Sequence, residues 1–146
     1  MIFRIFDDER ASICDNLLTK LIQDERKYDS SIDKNFLVKD YFKNVIKNKD
    51  NILLCYEEDK IIKGYIYLKT IIENNKKGFL IDGLYVDENY RNNGIATNLM
   101  ETALSIIKNT DVEFININVL AHNKNAINLY KKFGFSEFKI NLKKDL

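Results

Sequence analysis

Between residues 79 and 120 the sequence changes its hydrophobic period twice, and this stretch limits the possible folds more than any other. A run of β-branched and aromatic residues ends at Val86. A helical period follows over about residues 94–108, with Ile95, Leu99, Ala103, Ile106 and Ile107 on one face. An alternating segment at 114–120 then sets Ile115, Ile117 and Val119 opposite Phe114, Asn116, Asn118 and Leu120. Strand, helix, strand is a crossover unit, so the two strands are expected to be parallel neighbours joined right-handedly. Upstream, the segments 52–57, 61–72 and 78–87 are separated by the turn chemistry of Glu58-Asp59-Lys60 and Asn74-Asn75-Lys76-Lys77. They predict a three-stranded antiparallel meander. Both connection types in one sheet make the fold class α/β, with a mixed central sheet.

The flanking segments fit one domain over residues 1–146, as expected for a chain near the common domain size of about 150 residues. Residues 2–6 predict a short strand and 8–24 a helix with Ile13, Leu17, Leu18, Leu21 and Ile22 in register. A second amphipathic segment carries Phe36, Leu37, Tyr41, Phe42, Val45 and Ile46. A helix at 124–133 stacks Ala126, Leu129, Tyr130 and Phe133, with Gly134 suited to the position just past its end. A final strand is expected near 135–142, and its apolar residues Phe138, Ile140 and Leu142 offer an edge for a homodimer.

Composition excludes several classes. The chain is 45% hydrophobic and 31% charged, an ordinary globular balance. Its net charge of +1 argues against a general nucleic-acid binder, whose phosphate contacts need a basic surplus. The longest apolar run, Ile52 to Tyr56, is too short to span a membrane. The N-terminus turns acidic by Asp7 and does not read as a secretory signal. Two cysteines and one histidine make neither a disulfide framework nor a zinc site, so no metal is expected. These features together predict a cytoplasmic protein.

The segment LIDGLYVDENYRNNGIATNLM, residues 80–100, reads as strand, loop, helix. The first N–H groups of a helix lack partners and sit at its positive end, which suits an anion. Gly94 lets a phosphate approach the backbone, Ala96 keeps its position small, and Arg91 adds a fixed charge. The segment lacks the Gly-Lys-Ser/Thr of a P-loop and the three glycines of a dinucleotide fingerprint. A nucleotide-binding domain using residues 91–96 therefore stays open only as a third reading.

A second motif follows, in VLAHNKNAINLYKKFGF at residues 119–135. With both in hand, the chain resembles the GCN5-related N-acetyltransferase (GNAT) superfamily. The Arg/Gln-x-x-Gly-x-Gly/Ala signature of that family matches Arg91, Asn92, Asn93, Gly94, Ile95 and Ala96. The Asn-x-x-Ala-x-x-Leu-Tyr-x-x-x-Gly-Phe tail matches Asn123, Ala126, Leu129, Tyr130, Gly134 and Phe135. The resemblance is strongest over residues 79–135, the expected acetyl-CoA-binding core, and assigns the helices at about 8–48 to the acceptor side.

The resemblance implies acetyl-CoA as cosubstrate and a small-molecule or peptide amine as acceptor, with no nucleic-acid or membrane partner. The backbone from Asn92 to Thr97, with the Arg91 region, would hold the pyrophosphate. Leu84, Tyr85 and Val86 would line the pantetheine arm, in a strand that is bulged and splayed from its parallel neighbour; Gly83 is compatible with that distortion. Asn123 would meet the pantetheine or its phosphate. Tyr130 would be the general acid for the departing thiolate, and the N–H near Val86 an oxyanion donor.

The base is open. A lysine-like amine of pKa about 10.4 is neutral in only about one molecule in two thousand near pH 7, so a base or a water path helps. Asp82 reads as sharing a strand face with Leu80, Leu84 and Val86, an apolar setting that raises a carboxylate's pKa. Polyamine-type relatives carry an acid at this position. Some N-terminal acetyltransferases use a Glu where this chain has Asn118, which cannot take a proton. His122 reads as a loop residue, and Cys14 and Cys55 as packing. Asp24, Glu25, Asp29 and Asp33 are interleaved with Arg26, Lys27 and Lys34, which fits either an acidic acceptor rim or a solvated loop. From another functional class, a catalytically weak acyl-CoA-binding or regulatory module on the same fold remains the alternative.

Overall fold

Two tight hairpins set the sheet. Asp59 and Lys60, and again Asn74 and Asn75, all have φ between 51° and 64°. Two consecutive left-handed residues make the turn whose twist matches that of the strands it joins. A computed structural model describes residues 1–146 and gives five strands in the order β1-β2-β3-β4-β5. β1 (Ile2–Arg4), β2 (Ile52–Glu58), β3 (Ile61–Glu73) and β4 (Lys76–Val86) pair antiparallel, and β5 (Phe114–Ile117) runs parallel to β4. The expected meander and crossover are both present.

Four α-helices and one 3-10 turn (Glu88–Tyr90) flank the sheet. α1 (Asp8–Glu25) starts at Asp7, whose carboxylate accepts from the Arg10 N–H at 2.9 Å. α2 (Tyr41–Val45) is a short turn of helix, α3 (Ile95–Lys108) follows Gly94, and α4 (Lys124–Lys132) follows Asn123. Beyond α4, Gly134 has φ 93°. Its N–H bonds to the Lys131 carbonyl, and that of Phe135 to Tyr130, each at 3.1 Å. This double closure is the stop that a glycine past the helix end permits.

Each sheet face carries its own core. Leu54, Ile66, Leu68, Phe79 and Ile81 pack with Ile95, Leu99, Met100, Ala103 and Ile107 of α3 and with Tyr130 of α4. On the opposite face, Leu53, Cys55, Ile62, Tyr65, Tyr67 and Tyr85 meet Ala11, Cys14 and Leu17 of α1 and Phe42 of α2. Both cysteines are free and buried, and burial pushes the Cys55 thiol up to about 12.

A bulge interrupts β4. Tyr67 of β3 pairs with Gly83, but Leu68 pairs with Ile81, so Asp82 is an extra residue. Because side chains alternate, one extra residue exchanges the faces beyond it. Phe79 and Ile81 face α3 before the bulge; Leu84 and Val86 pack on that same core after it, while Tyr85 faces α1. The continuous face of Leu80, Asp82, Leu84 and Val86 therefore does not exist. Asp82 lies on the α1 face, across the sheet from Leu84 and Val86.

Three other expectations need correction. The strand at 114–120 is paired only over Phe114–Ile117. No strand forms at 135–142, because that backbone has no ladder partner; Phe138, Ile140 and Leu142 are 78%, 78% and 89% exposed. The segment around 36–46 is helical only at Tyr41–Val45. Side chains of α1 satisfy this loop's backbone instead. Thr19 Oγ1 accepts from the Val38 N–H at 3.0 Å, and Gln23 donates to the carbonyls of Asp33 and Phe36 at 3.1 and 3.0 Å. Asp15 accepts from the Phe42 N–H at 2.9 Å.

Gly64 lies opposite Val86, and a Cβ there would stand 2.8 Å from the Tyr85 carbonyl oxygen. Backbone cannot swing aside like a side-chain tip, so Gly64→Ala is expected to cost about 1–3 kcal/mol in urea unfolding, within the range for overpacking. An unchanged midpoint would show that β3 and β4 are less closely apposed.

Candidate active site

The bulge also marks where β4 loses its parallel neighbour. The last pair between the two strands is Ile81 with Ile117, and β4 continues alone to Val86. The Asp87 N–H donates to the Lys63 carbonyl at 2.8 Å, which fixes the alternation along the β3–β4 ladder. Residues 83 and 85 therefore turn their backbone groups toward β3, and Leu84 and Val86 turn theirs to the open edge. The Arg91 side chain confirms this direction, since its Nε donates to the Val86 carbonyl at 2.9 Å. The open edge is one wall of a broad groove that runs past the start of α3 and is closed on its far side by residues 118–135.

The turn after β4 is built for an exposed helix start. Asp87 caps the 3-10 turn by accepting from the Asn89 N–H at 3.0 Å. Asn92 and Gly94 then take φ of 65° and 75°. The first bond of α3 runs from the Asn98 N–H to the Gly94 carbonyl at 3.0 Å, so the N–H groups of Ile95, Ala96 and Thr97 have no partner within the helix. Nothing lies within 4 Å of where a Gly94 Cβ would stand. Open space in front of three unpaired donors and a positive dipole end fits an anionic phosphate group. Asn93 supports the loop by donating to the carbonyls of Tyr90 and Arg91 at 3.0 and 3.3 Å.

Asn123 stands at the other end of the groove, where its Oδ1 caps α4 by accepting from the Ala126 N–H at 3.2 Å. Next to it, His122 stacks on Tyr28 with ring centroids 3.2 Å apart. Tyr130 is 9% exposed, packs edge-on to Phe135 and lines the groove. Burial raises its pKa, so the hydroxyl stays protonated at neutral pH and keeps a proton to donate.

Asp82 lines the same groove from the α1 face. Desolvation by the surrounding protein raises its pKa, while Lys69 pulls the other way. Tyr41 and Tyr67 lie beside it, and burial, together with Asp82's charge, keeps both phenols un-ionised. Asp82 and Tyr130 thus flank the parting of β4 and β5 from opposite faces of the sheet, one able to take a proton and the other able to give one.

Contacts between distant segments complete the site and carry no sequence signal. Lys20 pairs with Asp87 at 2.7 Å, and Arg91 with Asp24 at 3.4 Å. Tyr65 lies under the bulge, fully buried, with a hydroxyl that has no partner. A Cβ on residue 83 would come within 3.0 Å of that oxygen, which is why glycine follows the bulged residue. No group of three or more His, Cys, Asp or Glu side chains is arranged to hold a metal ion, and no helix is long and apolar enough to cross a membrane.

Comparison with known proteins bears on the fold and the family. Among curated proteins, an N-alpha-acetyltransferase of Sulfurisphaera tokodaii is 35% identical over 92 residues, 62% of this chain and 54% of that protein. An N-alpha-acetyltransferase of Saccharolobus solfataricus is 34% identical over a stretch covering the same shares. The chain therefore spans about half the length of the curated relatives it matches. Among solved structures, a mutant of the BH1408 protein from Bacillus halodurans superposes with a TM-score of 0.84 at 21% identity, covering 100% of this chain and 99% of that one. An aminoglycoside acetyltransferase, HMB0005, from an uncultured soil sample gives 0.73 at 20% identity, covering 100% and 97%. At such identities the likeness is one of fold. The family model described as acetyltransferase (GNAT) family matches residues 16–135. With most of its length inside that match, the chain belongs to the GNAT acetyltransferase family.

Proposed function

We propose that this protein transfers the acetyl group of acetyl-CoA to a primary amine, by direct attack of the amine on the thioester. The observation that carries this reading is the pairing of two sets of free backbone donors, at the open edge of Leu84 and Val86 and at the start of α3, with Asp82 and Tyr130 on opposite faces beside them. Acetyl-CoA supplies an activated acetyl thioester. The N–H groups of residues 95–97, with the Asn92–Gly94 loop, hold its phosphates. The open edge at Leu84–Val86 holds the pantetheine arm, with Asn123 across the groove. The Val86 N–H points to where charge builds on the carbonyl oxygen. Asp82 receives the amine's proton, and Tyr130 donates one to the departing sulfur. The whole of residues 1–146 acts as one catalytic domain.

The N-alpha-acetyltransferase relatives support a polypeptide α-amine as acceptor. Such an amine has a pKa of about 7.7–8.0, against about 10.4 for a lysine side chain, so far more of it is neutral near pH 7. A carboxylate of modestly raised pKa is base enough for that task.

Three measurements test the reading. Gly94→Glu sets bulk and negative charge before the free donors, and calorimetry should detect no acetyl-CoA binding; unchanged affinity in a folded variant would remove the phosphate loop. Asp82→Asn should lower turnover by about 10²-fold and abolish the acid limb of the pH–rate profile. That limb should fall as pH drops through a pKa above the ordinary carboxylate value, because the protonated acid cannot accept. A rise in KM alone would make Asp82 an attractor of charge. Tyr130→Phe keeps the packing and removes the hydroxyl, so single-turnover rates should drop roughly 10- to 10³-fold while acetyl-CoA affinity changes less. An equal rate would leave solvent as the proton source. Acetyl-CoA binding with no thiol released in the presence of any amine would instead favour an acyl-CoA-binding regulatory module.

A further inference from the structure

Two oppositely ordered pairs of charges face each other beside the groove. Lys20 and Asp24 lie one turn apart on α1; Asp87 and Arg91 lie on the loop that leads to α3. Lys20 Nζ meets Asp87 Oδ2 at 2.7 Å, and an Arg91 terminal nitrogen meets Asp24 Oδ2 at 3.4 Å. The first pair is fixed, because the Asp87 side chain is only 9% exposed and also caps Asn89. The second is loose, with side chains 45% and 59% exposed. Arg91 is anchored near its base, where Nε donates to the Val86 carbonyl, and its guanidinium lies 5.2 Å from the Tyr85 ring centroid. Only its outer nitrogen reaches Asp24. The Tyr85 hydroxyl donates to the same Asp24 oxygen at 3.4 Å.

An exposed, long ion pair is weak. Phosphates held at residues 92–97 bring more negative charge to the loop that carries Arg91, and a guanidinium fork binds phosphate in a two-point fit. Transfer of the guanidinium to phosphate would leave Asp24 without its neutralising partner. Its neighbour Glu25 forms no ion pair, and burial, then Asp29 and Asp24, raise its pKa. Both Asp24 and Glu25 line the groove.

We propose that Asp24 is an acceptor-recognition residue whose charge Arg91 masks until the cosubstrate's phosphates draw the guanidinium away. The inference rests on the acetyl-CoA reading above. Cosubstrate binding thereby unmasks the Asp24 carboxylate beside the groove and prepares this side for a cationic amine, whose ammonium is gathered at Asp24 before its deprotonation.

Calorimetry on the full chain tests this with four proteins: wild type, Asp24→Asn, Arg91→Gln and the double variant. Removing the competitor for Arg91 should tighten acetyl-CoA binding about two- to fivefold in Asp24→Asn, the scale of an exposed ion pair. The same change should have no effect in the Arg91→Gln background. A short peptide with a free α-amine, titrated into protein saturated with CoA, should bind at least about fivefold more weakly to Asp24→Asn. Without CoA, the two proteins should bind the peptide alike. Equal tightening in the Arg91→Gln background would show a general field effect and overturn the exchange. So would unchanged or weaker acetyl-CoA binding in Asp24→Asn, or a peptide affinity indifferent to Asp24. A wild type that binds no acetyl-CoA would remove the parent reading and this one with it, whereas normal wild-type binding without tightening removes this one alone.

Discussion

One surplus residue in β4 governs the geometry of the groove. Until Ile81 the strand is paired on both edges, to β3 and to β5. Asp82 then breaks the register, and beyond it only the β3 edge is paired. The bulge exchanges the faces of everything downstream. Leu84 and Val86 thereby cover the α3 core while Asp82 and Gly83 stay beside the α1 face. A strand without the bulge would carry Tyr85 into the α3 core and expose Leu84 on the wrong side. Gly83 and Tyr65 complete the arrangement, since the phenol occupies the space a side chain would need.

α1 connects the two halves of the site. Its core side packs through Ala11, Cys14 and Leu17, and buried Asp15 accepts from the Phe42 N–H in the first turn of α2. Its last turns reach the loop before α3, where Lys20 pairs with Asp87 and Asp24 with Arg91. One rigid helix thus sets the spacing between the segment above the α1 face and the donors at the start of α3. The long exposed pair adds little to stability, while Lys20 with Asp87 is shorter and better sheltered.

The sequence makes some of this legible and hides the rest for physical reasons. The turn pairs, the helix start at Gly94 and the stop at Gly134 are local, so residue type alone indicates them. The crossover follows from the order of periods. The face of Asp82 was not legible, because strict alternation carries no mark of an inserted residue. An alternating pattern at 135–142 also misleads, since a strand needs a ladder partner as well as a period, and none is supplied there. The Lys20–Asp87 and Asp24–Arg91 pairs join residues more than sixty positions apart, where only the fold brings them together.

The loop between α1 and α2 is held differently from the rest of the molecule. Its backbone bonds to side chains of α1, namely Thr19 and Gln23, and to no strand. Substitutions along residues 26–40 therefore leave the sheet register and the helix start at Gly94 undisturbed, provided those anchors persist. Such an arrangement separates two kinds of evolutionary drift. The groove's phosphate end is locked to the strand ladder and tolerates little change, whereas the opposite rim can exchange sequence freely and acquire new acceptors on an unaltered scaffold.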